Sequence, residues 1–246
     1  MRIIKIGWLK YSDDRVFNGK IKNATITKRS SGKYWISLLI EEDIQQLPKS
    51  NNKIGIDLGI TSYIVTSNGD KIINPKILYK YQDKLIQEQQ KLSKKQKGSN
   101  NYEKQRIKIA RIYEKIVNIR SDFQHKLSTN LINENQIIIL ESLNIKNMLK
   151  NHKLAKSILD CSWYSFIEML QYKANWYGRD IIQIDQYFPS TKMCSNCSAI
   201  NNDLTLSDRE WHCNNCNAYH DRDINAAINI LTVGITGSAC IKAGNL

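Results

Sequence analysis

The sequence predicts a mixed α/β fold. Three observations lead there. Short apolar strands recur, at Ile54-Gly55-Ile56-Asp57 and Gln136-Ile137-Ile138-Ile139-Leu140-Glu141, each with an acid at its end, and at Asp180-Ile181-Ile182-Gln183-Ile184-Asp185. Longer segments between them place apolar residues three and four apart, the period of a helix with one buried face. The two patterns alternate along the chain, as a layered sheet-and-helix domain requires.

Taken in order, residues 21–29 and 34–41 read as two strands joined at Ser30-Ser31-Gly32-Lys33, the second rich in β-formers. Leu47-Pro48-Lys49-Ser50-Asn51-Asn52 reads as a linker. A second sheet starts at Lys53, with Tyr63-Ile64-Val65-Thr66 and Lys71-Ile72-Ile73 joined through Ser67-Asn68-Gly69-Asp70. Asn-Gly between apolar runs is a strong hairpin signal. A helix over about 76–93 and a longer one carrying Ile109, Ile112, Ile116, Ile119, Phe123, Leu127 and Leu131 flank Gly98-Ser99-Asn100-Asn101 and should form a helical hairpin. Residues 162–178 read as an amphipathic helix with Trp163, Phe166, Leu170 and Trp176, and 223–231 as a final helix.

Composition bounds the function. With 246 residues, 41% apolar and 24% charged, the chain can bury a core, which excludes disorder throughout. Its longest unbroken apolar run is Ile137–Leu140, whereas a membrane span needs about 20 residues, so no membrane partner is expected. The start, Met1-Arg2-Ile3-Ile4-Lys5-Ile6-Gly7, has no apolar signal core, so a cytoplasmic protein is expected. The net charge is +13, and residues 76–126 hold fourteen Lys/Arg against five Asp/Glu. Such density, as in Lys91-Leu92-Ser93-Lys94-Lys95-Gln96-Lys97, suits phosphate neutralisation with counterion release, so nucleic acid is the expected partner over a plain solvated face.

Of six cysteines, four form two knuckles, Cys194-Ser195-Asn196-Cys197 and Cys213-Asn214-Asn215-Cys216, fifteen residues apart. Two C-x-x-C turns at that distance read as one tetrahedral zinc site with no open position, hence structural. A redox pair needs only one knuckle. Cys161 and Cys240 read as ordinary thiols, and His212 and His220 either flank the metal as hydrogen-bonding groups or lie on the surface.

Asp57, Glu141 and Asp223 form the candidate catalytic set. If their strands run parallel as neighbours, Asp57 and Glu141 meet at the carboxyl edge of the sheet, where open α/β sheets place sites. Clustered carboxylates repel unless a cation lies between them, and oxygen-only ligation favours Mg²⁺ or Mn²⁺. Two such ions about 4 Å apart can cleave a phosphodiester. Each acid alone also has an ordinary reading: a turn at Asp57, a solvated strand end at Glu141, a helix N-cap at Asp221 or Asp223.

Ile54-Gly55-Ile56-Asp57-Leu58-Gly59, Leu140-Glu141-Ser142-Leu143, Pro189-Ser190-Thr191-Lys192 leading into Cys194, and His220-Asp221-Arg222-Asp223-Ile224-Asn225-Ala226-Ala227 occur in that order. Together with Arg120, Asp122, Phe123, His125, Lys126, Leu127 and Ser128 on the long helix, they make the chain resemble the OrfB/TnpB proteins of insertion sequences, relatives of type V CRISPR effectors. The resemblance implies a RuvC-like RNase H fold with an inserted zinc ribbon. It implies that Asp57, Glu141 and Asp223 hold catalytic Mg²⁺ or Mn²⁺, and that Cys194, Cys197, Cys213 and Cys216 hold zinc. It selects Asp223 over Asp221 as the catalytic acid. It implies a transposon-associated endonuclease of the prokaryotic nucleoid that cuts DNA exposed by a guide RNA from the element's end. The implied domains are a β-rich segment at 1–50, resembling the end of a β-barrel from Gly7-Trp8-Leu9-Lys10 onward; a nuclease domain at 51–192 and 217–246 with its helical hairpin at 76–133; and the ribbon at 193–216. Typical members carry a longer N-terminal part, so a truncated copy, a compact variant or an internal-start product is expected. The competing expectation is a non-cleaving nucleic-acid-binding module or regulator derived from a mobile element.

Overall fold

The computed structural model describes residues 2–3, 7–8, 10, 12, 18–205, 207–237 and 240–241, with side chains for all of these except 2–3 and 240–241. Met1, Ile4, Lys5, Ile6, Leu9 and the side chains of Arg2, Ile3 and Cys240, named above, lie outside the described residues. The chain divides into two compact units, Met1–Ile44 and Gln45–Leu246.

In the first unit β1 (Arg2–Ile3) pairs antiparallel with β2 (Gly7–Trp8), and β3 (Lys20–Lys28) with β4 (Tyr34–Glu41). The β3–β4 turn matches the sequence reading, and Gly32 supplies its left-handed residue at φ 83°. Arg29 lies 4.4 Å over the ring of Trp35 beside that turn.

The second unit is built on β5 (Lys53–Leu58), β6 (Ser62–Thr66), β7 (Lys71–Ile73), α1 (Ile77–Ser93), α2 (Asn100–Glu134), β8 (Ile137–Glu141), α3 (Ile145–Met148), α4 (His152–Cys161), α5 (Trp163–Tyr177), β9 (Asp180–Ile184), β10 (Glu210–His212), β11 (Tyr219–Asp221), α6 (Arg222–Thr236) and β12 (Cys240–Ile241). Six strands form one sheet in the order β12-β9-β8-β5-β6-β7. β5, β8 and β9 run parallel; β6 is antiparallel to β5, β7 to β6 and β12 to β9. The central parallel strands are buried on both faces, which explains their continuous Ile/Leu runs. On one face Ile54, Ile56, Ile138 and Leu140 pack with Leu131 and Ile132 of α2 and Phe166 and Leu170 of α5. On the other, Ile139 and Ile184 pack with Ile230 and Val233 of α6.

The long apolar stripe of α2 serves two partners. Ile109, Ile112 and Ile116 close on Ile77 and Leu85 of α1, whereas Phe123, Leu127 and Leu131 join the sheet core. Ile119 falls where the helix passes from one to the other and is exposed, contrary to its place in the predicted stripe. Trp176 of the predicted α5 stripe is likewise half-exposed, stacked on Tyr172 rather than in the core. The hairpin turn is set by Ser99, whose hydroxyl accepts the Tyr102 N–H as an N-cap. α6 extends past the predicted 231 to Thr236, stopped by left-handed Gly237. The carbonyls of its last turn are closed by that glycine, a stop signal lying beyond the Asp–Leu stretch read from sequence. Among the described residues no helix is long and apolar enough to cross a membrane.

Candidate active site and metal centre

The sheet register brings the first two acids together. Ile56 pairs with Leu140 across the parallel β5–β8 ladder, so Asp57 and Glu141, one step on, leave adjacent strands at the same edge and on the same face. That is the face covered by α6. Gly55 points there, two residues before Asp57, and a Cβ on it would lie 2.2 Å from the Ala227 carbonyl oxygen. Gly234 does the same from the helix side, against Ile139. The two glycines let α6 lie directly on β5 and β8. Asp223 is one turn before Ala227, so the contact that seats Ala227 over Gly55 carries Asp223 to Asp57.

The charges register this proximity. Burial, then the Asp223 charge, pushes the Asp57 carboxyl up to about 7. Burial, then the Asp57 charge, pushes Glu141 up to about 7, with Asp185 adding to the rise and a Ser190 hydrogen bond opposing it. Asp185 follows β9 as Asp57 and Glu141 end β5 and β8. Sequence reasoning passed over it as a site residue, although the same acid-at-strand-end signal marked it. Its Oδ1 accepts the Tyr187 N–H at 2.8 Å.

Asp223 is held differently. Arg222 donates to its Oδ1 through Nε and Nη2 at 3.2 and 3.1 Å, and Arg209 approaches Oδ2 at 3.6 Å. Asp221 is the N-cap of α6, its Oδ1 accepting the Asp223 and Ile224 N–H groups, each at 3.1 Å. Neither arginine was singled out from the sequence. Part-buried Asp57 and Glu141 have a raised affinity for protons, and with Asp223, whose carboxylate Arg222 and Arg209 pair, they offer hard oxygen donors that suit a hard divalent cation.

The four cysteines are gathered more tightly. Their sulfurs all lie within 4.8 Å of one another, the only such group of three or more His, Cys, Asp or Glu among the described residues. The carboxylates therefore do not close to that span. Cys194–Cys216 and Cys197–Cys213 sulfurs are 3.7 and 3.5 Å apart. A tetrahedron with Zn–S of about 2.3 Å has edges of about 3.8 Å, so the cluster can hold a metal such as zinc. Each knuckle turns through a left-handed residue, Ser198 or Asn217, whose N–H reaches back to the carbonyl of Cys194 or Cys213. His220 is buried with Nε2 3.0 Å from the Cys194 sulfur. His212 instead stacks on Tyr219.

The ribbon is bolted to α6. Asn225 accepts the Ser195 N–H at 2.9 Å and donates to the Met193 carbonyl at 2.7 Å; Asn229 donates to the carbonyls of Ser190 and Met193. Both asparagines are buried, within two turns of Asp223 on the same helix.

On the hairpin, twelve of the fourteen basic residues between 76 and 126 are exposed, with Lys95 and Arg120 part-buried. Arg120 leaves the basic face: its Nη2 donates to Asp160 at 2.7 Å, and that carboxylate also accepts the Leu78 N–H at the start of α1. Cys161 is buried and accepts from Asn74, and burial pushes its thiol up to about 11, as expected of an inert thiol.

These features define a mixed α/β protein with an acid-edged sheet and a four-cysteine ribbon. The OrfB_IS605 family model, described as "Probable transposase", matches residues 36–152, and that of the Cas12f1-like TNB domain matches 163–230. A Streptomyces pristinaespiralis protein named "Putative RNA-guided DNA endonuclease" is 45% identical over 216 residues, covering 88% of this chain and 54% of the relative. InsQ of Escherichia coli K12, with the same descriptive name, is 32% identical over 252 residues, covering 96% and 62%. A chain of a cryo-EM CRISPR-Cas12f ternary complex superposes with a TM-score of 0.55 at 20% identity, covering 81% of this chain and 42% of that one. The chain is a relative of the OrfB/TnpB proteins. It spans 54% and 62% of the length of the two relatives named here.

Proposed function

We propose that the chain is a transposon-associated, RNA-guided, metal-dependent DNA endonuclease with a RuvC-like RNase H fold. The observation that carries this is the placing of Asp57 and Glu141 at one edge by parallel strand register, with Asp223 set against Asp57 by the Gly55–α6 contact. The proposed domains are the β-rich segment at 1–50, the nuclease at 51–192 and 217–246 with its hairpin at 76–133, and the ribbon at 193–216. Names of the relatives supply the substrate: DNA, addressed through RNA.

Asp57, Glu141 and Asp223 would hold Mg²⁺ or Mn²⁺, which when bound supplies an activated water and charge neutralisation at the leaving oxygen. Partial burial and a neighbouring negative charge disfavour the ionised forms of Asp57 and Glu141, a cost that a divalent cation would relieve. Arg222 and Arg209 neutralise Asp223 and orient its carboxylate. Cys194, Cys197, Cys213 and Cys216 would hold zinc, fixing the ribbon against α6. The exposed lysines of α1 and α2 would contact the phosphate backbone without reading bases, while pairing with the guide reads sequence.

The test is cleavage of single- and double-stranded DNA with Mg²⁺, with and without RNA transcribed from the element's end. Asp57→Ala, Glu141→Ala and Asp223→Ala should each lower the rate by about three orders of magnitude, on the order of 4 kcal/mol of transition-state stabilisation. Cleavage at the parental rate in any of them removes that residue from the mechanism. Salt-dependent binding without cleavage under every metal and RNA condition would instead favour the binding-module reading.

A further inference from the structure

We propose that Lys71 is a positioning residue of the carboxylate site, which holds the first turn of α6 against the sheet through Asp221. The inference rests on the nuclease reading above. Its basis is a row across the sheet. Val65 pairs with Asp57 on one side and with Lys71 on the other, so Lys71, Val65 and Asp57 share a level and a face, the face that α6 covers. The Lys71 ammonium does not run out into solvent. It ion-pairs with Oδ2 of Asp221, a residue 150 positions away in sequence. The other oxygen of the same carboxylate caps the N–H groups of Asp223 and Ile224. One side chain thus joins the edge strand to the helical turn that carries Asp223.

The opposite pull comes from the ribbon side. Arg222 and Arg209 grip the Asp223 carboxylate, and the Arg222 N–H donates to the Arg209 carbonyl at 2.8 Å. Between these pulls the α6 N-terminus has a defined place. The Lys71–Asp221 side chains are 40% and 26% exposed, and pairs so exposed add little to global stability. Orientation is the effect to expect of it. Metal ligands need placement to within about 0.5 Å, and losing a group that orients a ligand lowers metal affinity about 10–100-fold.

The full chain, free of nucleic acid, is titrated with Mn²⁺ and followed by electron paramagnetic resonance; exchange of the Asp223 and Ile224 amides is measured in the metal-free protein. Lys71→Met should weaken Mn²⁺ binding at least about tenfold and speed exchange of both amides, with the melting temperature nearly unchanged. Lys71→Arg should restore both. Asp221→Asn keeps an oxygen for the cap but loses the charge; it should reproduce Lys71→Met, and the double variant should be no worse than either single one. Should Lys71→Met melt early, Asp221→Asn carries the test alone. Mn²⁺ affinity within twofold of the parent in both variants overturns the proposal. A parent chain that binds no Mn²⁺ is a different result and sinks the nuclease reading itself.

Discussion

The cysteine ribbon, whose four sulfurs can hold a metal, and the acidic sheet edge, proposed above to hold one, are assembled in opposite ways. In the ribbon the ligands come from two tight turns, and the sulfurs already stand at near-tetrahedral separations. At the sheet edge the ligands come from β5, β8 and α6, up to 166 residues apart, and the carboxylates stay apart. The difference is chemical. The four sulfurs crowd at separations below 4.8 Å, whereas Asp57 and Glu141 each lie against a neighbouring negative charge that disfavours their ionised forms. A cluster drawn from two tight turns can be written locally, while carboxylates carried on two strands and a helix are brought together only by the whole fold.

Zinc removal should give the largest effect. Structural zinc contributes about 10 kcal/mol or more to folding in small zinc-finger peptides. Chelation or Cys213→Ser should release metal and expose amides of 194–221 to exchange, while β5–β8 pairing stays protected. Because Asn225 and Asn229 join ribbon and α6, the protection loss should spread into the first two turns of α6. No zinc by metal analysis, together with an unaltered melting curve on chelation, would break this side of the comparison.

Gly55→Ala tests the other side. The added methyl would stand 2.2 Å from the Ala227 carbonyl oxygen and 2.7 Å from the Leu231 nitrogen, both backbone, so α6 must lift. Overpacking of this kind costs about 1–3 kcal/mol. Divalent-ion binding should fall further than that loss predicts, since Asp223 moves with the helix, while zinc content should stay at the parental level. Equal losses at both sites would show that the two are not built independently.

The smallest effect sharpens the electrostatic claim. The Asp57 carboxyl titrates near 7 in the folded chain against about 4 when unfolded. A raised acid pKa means the folded state binds the proton more tightly. Its stabilising effect is therefore present below pH 4, is lost as pH rises from 4 to 7, and is absent above 7. Asp57→Asn removes the charge at nearly constant shape. In metal-free protein at pH 8 it should raise stability by on the order of 2 kcal/mol, with the gain shrinking toward pH 4. Thermal unfolding of the pair across that range measures it, and a variant less stable than the parent at pH 8 refutes the electrostatic cost.

Much of the fold was legible because its signals are local. The β3–β4 hairpin, the α1–α2 hairpin and the three parallel strands follow from turn residues and apolar period. The apolar period misled at two positions: Ile119, where α2 passes from one partner to the other, and Trp176, which meets Tyr172 instead of the core. Periodicity reports which face a residue is on, not whether another element reaches it. Asp185 was readable by the rule that marked Asp57 and Glu141. Arg209, Arg222, Asn225, Asn229 and Lys71 were not, because their roles depend on partners that only the folded chain brings near.

By itself the sequence determined the strands that end in acids, the two cysteine knuckles and the concentration of positive charge on one hairpin. Spacing and composition are enough for these, since the chain's covalent geometry enforces them. Tertiary structure alone decided that β5 and β8 lie parallel in register, that two glycines let α6 settle on them, and that Lys71 and two arginines meet the turn bearing Asp223. Those outcomes depend on close packing between segments far apart in the chain, where one missing Cβ sets the distance of approach.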